Sequence, residues 1–318
     1  MKGPRRTLSL VTVLLLAAGT ALSYTLTSPQ RTWNCPTTYV VDQSGLPSIA
    51  DADGGATAVV QAITSSNAWN GAGAGRIIKA SKGDVSGLTS GDGIPMISFS
   101  DPLGICTGSC IAGSLNGYSL RSPGSGSYKL TDVDLVFNPS SSTSWTSQGE
   151  DPGGAGCSGE VYIEGFTVHE VGHGLGLGHT AVAGATMYPS VPSCSNSQAT
   201  TEADDEAGLR ALYGTSPCPA CNSHTEYLAS LEQEIQPCGS AYKTSVTGFH
   251  EGWLEGPATS NFDLYLDRYN GLAWVVVASS TGAASSEAIS YNGLPGRYRY
   301  RVVAASGTGT YHFWERHP

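Results

Sequence analysis

Charged side chains are scarce in this chain of 318 residues, of which Asp, Glu, Lys and Arg make up only 13%. Lys and Arg together number 16, and the formal net charge is −10. Nucleic acids and anionic membranes bind surfaces that carry an excess of positive charge. We therefore expect neither as a partner. The apolar content of 40% is high enough to form hydrophobic cores, so the composition is not that of a disordered chain.

Long apolar stretches are absent beyond the N-terminus. There, three cationic residues precede an apolar stretch at residues 8–18, and small residues follow at 21–23, an order typical of a secretory signal peptide. The apolar stretch is too short for a transmembrane helix, and no other run of 18 apolar residues follows it. The sequence thus predicts a signal peptide at 1–23 and a secreted, extracellular protein with no stable membrane anchor. Removal of three cationic and no acidic residues takes the formal charge from −10 to −13.

Histidine is rare as well, with seven in the chain, and three of these are His169, His173 and His179. Imidazoles four residues apart project from one face of a helix and can reach a single ion. A continued helix would carry the third histidine about 9 Å up the axis, so the helix has to end before it. Gly176 can adopt the left-handed conformation that ends a helix. The spacing predicts one catalytic zinc ion with three imidazole ligands and an open fourth position.

The residue after the first of these histidines favours catalysis over a structural metal site. Glu170 is on the same helix and is placed to act as the general base on a zinc-bound water. Structural zinc sites are usually closed by four ligands and rich in cysteine. The pattern therefore predicts metal-assisted hydrolysis of peptide bonds. A short His-Glu-x-x-His string can also be a solvated helix face, but the third histidine and the glycine before it favour the zinc site.

This segment resembles the signature of the metzincin metallopeptidases, in which a methionine turn follows the third histidine. Met187-Tyr188-Pro189 is similar to that turn, and Gly172 and the run at 204–214 are most similar to matrixins. Thr180 stands where matrixins commonly carry serine. The resemblance implies that Gly176, Met187, Tyr188 and Pro189 support the site without binding the metal. It also implies protein or peptide substrates, and we expect a monomer.

Hydrophobic periodicity predicts an α/β (α+β) fold for a metzincin-like catalytic domain at 24–214, with a mixed sheet and a zinc-site helix. Strands are predicted at Thr38–Asp42, Ile94–Ser100 and Val133–Phe137. An amphipathic helix is predicted from Asp53 to near Trp69, and a final helix at Glu202–Leu212. By analogy with matrixins, Ile111–Leu120 would be the edge strand that pairs with an extended substrate.

The last part of the chain changes to a period of two and predicts a small antiparallel β-sandwich at 243–318, with hairpin turns at Asn270-Gly271 and Asn292-Gly293. The runs at 261–266 and 296–302 resemble the bacterial pre-peptidase C-terminal domain, which implies an accessory role. A connector is predicted at 215–242, with a helix whose apolar face holds Tyr227, Leu228, Leu231 and Ile235.

Eight cysteines fit an oxidising compartment. Five lie before Gly214 and three after it, so full pairing requires at least one disulfide bond between the two parts. Cys106 and Cys110 are close enough in sequence to pair. The alternative is a free Cys35 thiol that blocks the zinc ion, the kind of latency switch that matrixin propeptides use.

Further metal sites have weaker support in the sequence. Residues 70–168 contain no histidine, so the second, structural zinc ion of vertebrate-type matrixins lacks imidazole ligands here. Oxygen atoms at 51–55 and 148–151 could bind calcium, but helix caps and solvated turns explain both stretches equally well.

The alternative to a peptidase is a non-catalytic secreted binding or adhesion protein on the same fold. In a third hypothesis, the β-sandwich is the main functional part, a carbohydrate- or protein-binding module, and the peptidase serves to process it.

Overall fold

The computed structural model describes residues 23–43, 49, 53–83, 88–89, 91–122, 125–138 and 143–318. The predicted signal peptide lies outside these residues, except for Ser23. Within the described part of the chain, no helix is long and apolar enough to cross a membrane.

The N-terminal unit consists of short strands and three α-helices. In chain order its elements are β1 (Thr25–Leu26), β2 (Arg31–Thr32), β3 (Thr37–Asp42), α1 (Ala56–Thr64), β4 (Ile78–Gly83), β5 (Met96–Ser98), β6 (Ala112–Leu120), β7 (Tyr128–Phe137), β8 (Trp145–Thr146), β9 (Val161–Tyr162), α2 (Ile163–Gly174), β10 (Leu177–Gly178) and α3 (Ala203–Tyr213). Single 3₁₀ turns lie at Trp69–Gly71, Pro152–Gly154 and Ser197–Ala199.

A mixed six-stranded sheet forms the framework of this unit. Strands β4, β3, β5 and β7 lie side by side and parallel, and β2 runs parallel to β7. Strand β6 pairs antiparallel with β7 and lies at one edge of the sheet, with β4 at the opposite edge. The mixed α/β class is therefore confirmed, as are the predicted strands and the edge position of β6. Apolar side chains of β3, β5, β7, α1, α2 and α3 meet in one core.

Helix α1 is shorter than predicted. It ends at Thr64, and Trp69 lies in a separate 3₁₀ turn. The serine hydroxyl of Ser65 accepts a hydrogen bond from the Asn67 amide at 3.1 Å. Serine and asparagine side chains offer the backbone such local alternatives, which compete with continued helix. Before the helix, the Asp53 carboxylate accepts a hydrogen bond from the Thr57 hydroxyl at 2.7 Å.

The C-terminal two-sheet unit, residues 222–316, contains only strands. These are β11 (Asn222–Leu228), β12 (Gln233–Gln236), β13 (Tyr242–Thr244), β14 (Gly248–Glu255), β15 (Asn261–Tyr269), β16 (Trp274–Ser280), β17 (Ser286–Gly293), β18 (Gly296–Ser306) and β19 (Gly309–Arg316). One antiparallel sheet has the order β11-β19-β14-β17, and the other has the order β12-β18-β15-β16 with β13 also paired to β18. Both sheets contribute to a single core, in which alternate residues of β15 and β18 are fully buried.

The helix predicted in the connector is wrong. Residues 222–228 and 233–236 form strands β11 and β12, which lie in opposite sheets. Their apolar spacing is compatible with a helix, but pairing with β19 and β18 provides hydrogen bonds that a local pattern does not reveal. Leu231 lies between the strands in a left-handed turn and is exposed. The connector predicted at 215–242 is consequently shorter, because the strands of the two-sheet unit begin at Asn222.

One of the two predicted hairpins is also wrong. Asn270-Gly271 joins the paired strands β15 and β16, as predicted. Asn292-Gly293 instead ends β17, which pairs with β14 in the four-stranded sheet, and the chain then crosses to β18 in the other sheet. The turn residues allow the chain to bend in both cases, but tertiary packing decides which strand is the partner.

All eight cysteines are paired, as Cys35–Cys238, Cys106–Cys110, Cys157–Cys194 and Cys218–Cys221. One disulfide bond joins the two parts of the chain, as the odd numbers require, and the short Cys106–Cys110 pair is confirmed. The alternative of a free Cys35 thiol is wrong, because Cys35 is bonded to the two-sheet unit.

The two-sheet unit packs directly against the N-terminal unit through its four-stranded sheet. The Trp314 indole donates a hydrogen bond to the Ala74 carbonyl at 3.0 Å. The buried guanidinium of Arg121 donates to the Thr225 carbonyl at 2.7 Å and pairs with Glu226 at 2.6 Å. These contacts, together with the Cys35–Cys238 bond, hold the two units in a fixed arrangement.

Candidate metal centre and substrate cleft

Helix α2 carries the first part of the candidate site, and aromatic side chains fix its position. The Trp69 indole donates to the Val168 carbonyl at 2.8 Å, and the Trp33 indole donates to the Gly174 carbonyl at 3.1 Å. The Tyr213 hydroxyl donates to the Leu175 carbonyl at 2.9 Å. The last carbonyls of a helix have no partner within it, so the donors at Gly174 and Leu175 stabilise the C-terminal end of α2, and the donor at Val168 holds its middle.

The chain reverses direction immediately after α2. Gly176 has a φ of 104°, and a Cβ atom there would collide with the Arg31 carbonyl. Only glycine satisfies both conditions. Strand β10 then pairs with β1, and the Thr25 hydroxyl donates to the His179 carbonyl at 2.5 Å. The helix ends where the sequence required it to end, and the turn brings His179 back towards α2.

The three predicted imidazoles converge. One ring nitrogen from each of His169, His173 and His179 lies within 4.8 Å of the other two, and the Nε2 atoms of His173 and His179 are 3.2 Å apart. The Nδ1 atom of His169 lies 2.6 Å from the Thr186 carbonyl oxygen, and that of His173 lies 2.9 Å from the Leu177 carbonyl oxygen. A carbonyl only accepts, so Nδ1 carries the proton in both rings. The Nε2 lone pairs are therefore directed to the shared centre.

Burial also favours the protonation state that binds metal. Desolvation lowers the pKa of His169 to about 4, and it also lowers the pKa of His173 below its usual value. Both rings are thus neutral near pH 7, as a metal ligand requires. Two neutral imidazoles with fixed tautomers, and a third imidazole that converges on them, fit a zinc ion in a site with an open position.

The candidate general base lies beside this centre. Glu170 lines the same cleft as His169 and His179. Burial raises the pKa of its carboxyl group to about 7. A carboxylate with a pKa near neutrality is suited to accept a proton and to return it within one catalytic cycle.

The methionine turn packs beneath the centre. Met187 is buried, and a Cβ atom at Gly172 would overlap its sulfur and lie 2.6 Å from the Trp69 ring. The missing side chain of Gly172 therefore allows α2 to lie directly on the methionine. Tyr188 is partly exposed, and Pro189 lines the cleft. The predicted supporting residues thus all lie at or beside the three imidazoles.

One buried carboxylate that holds the turn had no role assigned from the sequence. Asp205, on α3, accepts hydrogen bonds from the Thr186 amide at 2.7 Å and the Met187 amide at 2.9 Å. It also accepts from the Glu202 amide at 3.0 Å, which closes the capping box of the helix. Because the Thr186 carbonyl receives the Nδ1 proton of His169, Asp205 acts on this candidate ligand through the turn. The capping-box spacing was the sequence signal that could have identified it.

A second supporting side chain has no sequence signal. The buried amide of Gln198 lies 3.1 Å from the Thr186 carbonyl oxygen, and 3.3 Å from those of both Tyr188 and Ser190. One amide nitrogen thus lies within hydrogen-bond distance of the carbonyl oxygens of three alternate residues, in the segment that forms a wall of the cleft. Gln198 follows the turn in a 3₁₀ segment that no periodic pattern marks.

A cleft of about 510 Å³ opens beside the three imidazoles. The start of β6 forms one side, and the segment after the methionine turn forms another. Two bonds join the walls that contain Val161 and Val191. One is the Cys157–Cys194 disulfide bond, and the other is the hydrogen bond that the Cys194 amide donates to the Glu160 carbonyl at 2.8 Å. The apolar residues that line the cleft are Ile111, Ala112, Val161, Phe166, Pro189 and Val191.

The two stretches considered for calcium do not form metal-binding clusters among the described residues. The Asp53 carboxylate pairs with Lys82 and with Thr57. The Asp151 carboxylate accepts from the Gly156 amide at 3.0 Å. Both carboxylates therefore have partners in the local structure. Neither caps a helix as predicted, because Gly55 stands at the N-cap of α1 and no side chain caps α1 or the 3₁₀ turn at Pro152–Gly154.

Known proteins resemble the segment that contains this site. The matrixin family matches residues 127–214, from the start of β7 to the end of α3. Metalloendoproteinase 4-MMP of Arabidopsis thaliana is 44% identical over 63 residues, which are 20% of this chain and 18% of that protein. Matrilysin of Rattus norvegicus is 39% identical over 70 residues, which are 22% of this chain and 23% of that protein. The chain spans about a fifth of the length of these curated relatives. The resemblance to matrixins predicted from the motif is confirmed.

A solved structure also resembles part of the chain. The pre-peptidase C-terminal domain of a collagenase from Bacillus anthracis aligns with 30% of this chain and 89% of that domain. The sequence identity is 14% and the TM-score is 0.24.

Proposed function

We propose that this protein is a zinc-dependent endopeptidase, with His169, His173 and His179 as the metal ligands and Glu170 as the general base. The observation that carries the proposal is the convergence of three imidazoles, two with fixed tautomers, beside a half-buried glutamate in an open cleft. The matrixin match to residues 127–214 includes all four residues and supports the same chemistry.

The roles of the chain's own groups follow from their positions. A bound zinc ion would supply a Lewis acid that polarises the scissile carbonyl and acidifies water. The Glu170 carboxylate accepts the proton of the attacking water and transfers it to the leaving nitrogen, which its pKa of about 7 permits in both directions. Thr186 and Leu177 hold the histidine rings through their carbonyl groups, so the ligands do not rotate during turnover.

The edge strand supports an extended peptide as the substrate. Among the described strands β6 pairs only with β7, so the backbone groups on its other edge are left to a further strand. Ala112, at its start, lines the cleft. A peptide that pairs with β6 would lie across the centre with both of its ends free, as an endopeptidase requires. The apolar walls formed by Ile111, Val161 and Val191 favour an apolar side chain next to the scissile bond.

We also propose the wider organisation predicted from the sequence. The catalytic domain comprises residues 24–214, and the two-sheet unit is an accessory β-sandwich similar to the pre-peptidase C-terminal domain. The mature protein is secreted, a proposal supported by the signal-like residues 1–23 and by four disulfide bonds. We also propose that it is a monomer.

Cleavage of a peptide library by the purified mature protein tests the proposal. Cleavage within the peptides should stop with a chelator, return with zinc and be inhibited by a hydroxamate, whereas serine-peptidase reagents should have no effect. A protein that holds a full equivalent of zinc and cleaves no library member would instead be the non-catalytic binding protein, the alternative function.

A further inference from the structure

The outer face of the five-stranded sheet has no part in the proposed catalysis. Strand β18 alternates along its length, so that its tyrosines face the core and Arg297, Arg299 and Arg301 face outward. The four-stranded sheet packs against the N-terminal unit, so this opposite face is left to solvent. Three outward arginines at alternate positions of one strand are notable in a chain with a net charge of −10.

A fourth cation stands directly beside this row. In the register of β13 and β18, Lys243 lies opposite Arg297, and both side chains are exposed. No carboxylate of the described residues pairs with either one. Like charges directly opposite each other on a sheet destabilise it. The fold therefore maintains an unneutralised pair of cations that a bound anion would neutralise.

The other two arginines share a single carboxylate. The Nε atoms of Arg299 and Arg301 lie 3.0 and 2.8 Å from Oδ2 of Asp267, which is buried in the sheet. Two cations on one anion leave a net positive charge. Asp267 thus fixes both side chains in position and cancels only one of their two charges.

Aromatic rings orient the same guanidinium groups. The Arg299 guanidinium lies 4.5 Å from the centre of the Trp274 ring, and that of Arg301 lies 4.6 Å from the centre of the Tyr265 ring. Arg297 lies 5.9 Å from the centre of the Tyr269 ring. Stacking on a ring keeps the planar donor groups ordered, which lowers the entropy lost when they bind carboxylate or sulfate.

We infer that this arginine face, formed by Lys243, Arg297, Arg299 and Arg301 with the rings of Tyr265, Tyr269 and Trp274, binds a linear polysaccharide that bears carboxylate or sulfate groups. Successive outward arginines are about 7 Å apart along the strand, so the row can contact several charges of one polymer. Screening confines attraction to about 10 Å at 0.1 M salt, so this local cluster acts despite the negative charge of the whole chain.

The geometry favours a sugar polymer over other polyanions. Single-stranded nucleic acids bind by stacking bases on open aromatic faces, but here guanidinium groups occupy the ring faces. A flexible acidic peptide would lose more conformational entropy on a flat face than a stiff polysaccharide does. The bound polymer would lie on the side of the two-sheet unit away from the N-terminal unit, so the peptidase cleft would stay open.

Binding of the full-length mature protein to heparin, polygalacturonate and neutral dextran tests this inference, with polyglutamate and oligo-deoxythymidine as competing polyanions. The Lys243→Ala/Arg297→Ala variant should bind heparin or polygalacturonate about tenfold more weakly or worse, and added salt should weaken binding by the parent. The matched control, Lys79→Ala/Lys82→Ala, removes the same charge from β4 and should bind within about twofold of the parent. Binding only to heparin would identify sulfate as the recognised group, and binding only to polygalacturonate would identify carboxylate.

A stability measurement separates recognition from a structural role. Because Lys243 and Arg297 repel each other, their replacement should leave the free energy of unfolding unchanged or raise it while binding is lost. The inference is overturned if the parent binds neither charged polysaccharide, if the control variant loses as much binding, or if polyglutamate or oligo-deoxythymidine binds more tightly. Dextran binding equal to that of the charged polymers would also overturn it.

Discussion

Replacement of Asp205 by asparagine should destabilise the methionine turn and weaken metal binding together. The buried carboxylate accepts three backbone hydrogen bonds, two from Thr186 and Met187 and one from Glu202. An asparagine oxygen at the Oδ2 position keeps two of these as weaker neutral bonds. Its NH₂ group then faces the Met187 amide, which leaves a buried donor without an acceptor.

The expected loss of stability follows from the changes in these three hydrogen bonds. Loss of charge in two hydrogen bonds costs about 1 kcal/mol each, and an unsatisfied buried donor costs about 1–3 kcal/mol. The free energy of unfolding should therefore fall by about 3–5 kcal/mol, a large part of the stability of a typical domain. The affinity for zinc should fall about 10- to 100-fold, because the Thr186 carbonyl that orients His169 is no longer held.

Urea denaturation and zinc titration measure these two effects. Both are best carried out in a Glu170→Gln background, which prevents self-cleavage. Glu206→Gln is a matched control, since Glu206 lies on the same helix and pairs with Arg210 at 3.2 Å on the surface, where such a pair contributes less than about 1 kcal/mol. A loss for Asp205→Asn no greater than that of this control would refute the argument that Asp205 supports the site.

Three further variants test other contacts. Glu170→Gln should retain zinc and fold normally but lower turnover by about 10²-fold or more, as measured by peptide cleavage and metal analysis, and unchanged turnover would contradict its role as general base. His179→Ala should lose zinc as well as activity, so a full equivalent of zinc in that variant would show that the third ligand is misassigned. Cys35→Ser/Cys238→Ser removes a disulfide bond between residues 203 apart in sequence and should lower the free energy of unfolding, measured in urea, by about 2–4 kcal/mol. A loss no greater than that of Cys218→Ser/Cys221→Ser would show that this disulfide bond contributes little.

The candidate site was predictable to the extent that it depends on short-range geometry. The offsets between His169, His173 and His179 are local, and the need for a chain reversal followed from helix dimensions alone. Gly176 has the left-handed conformation that this argument required. Strands such as β7 were predictable for the same reason, because alternation is read from neighbouring residues.

Features that depend on distant partners were not predictable in this way. The apolar spacing at 227–235 is compatible with either a helix or two strands, and only pairing with β19 and β18 selects the strands. The Gln198 amide contacts three carbonyls that become neighbours only after the turn has folded. The alternation of arginines in β18 was visible in the sequence, but the position of Lys243 opposite Arg297 depends on strand register.

The position of α3 explains how the two-sheet unit and the candidate metal centre depend on each other. One end of this helix holds the methionine turn through Asp205, and its other end is followed by Gly214, where a Cβ atom would lie 2.7 Å from the Trp314 ring. Trp314 also bonds to the Ala74 carbonyl, which fixes it between the units. Interiors are close-packed and transmit displacement, so the two-sheet unit restrains α3 and, through it, the turn beneath His169. It is therefore a structural part of the candidate peptidase, in addition to any polymer that its outer face binds.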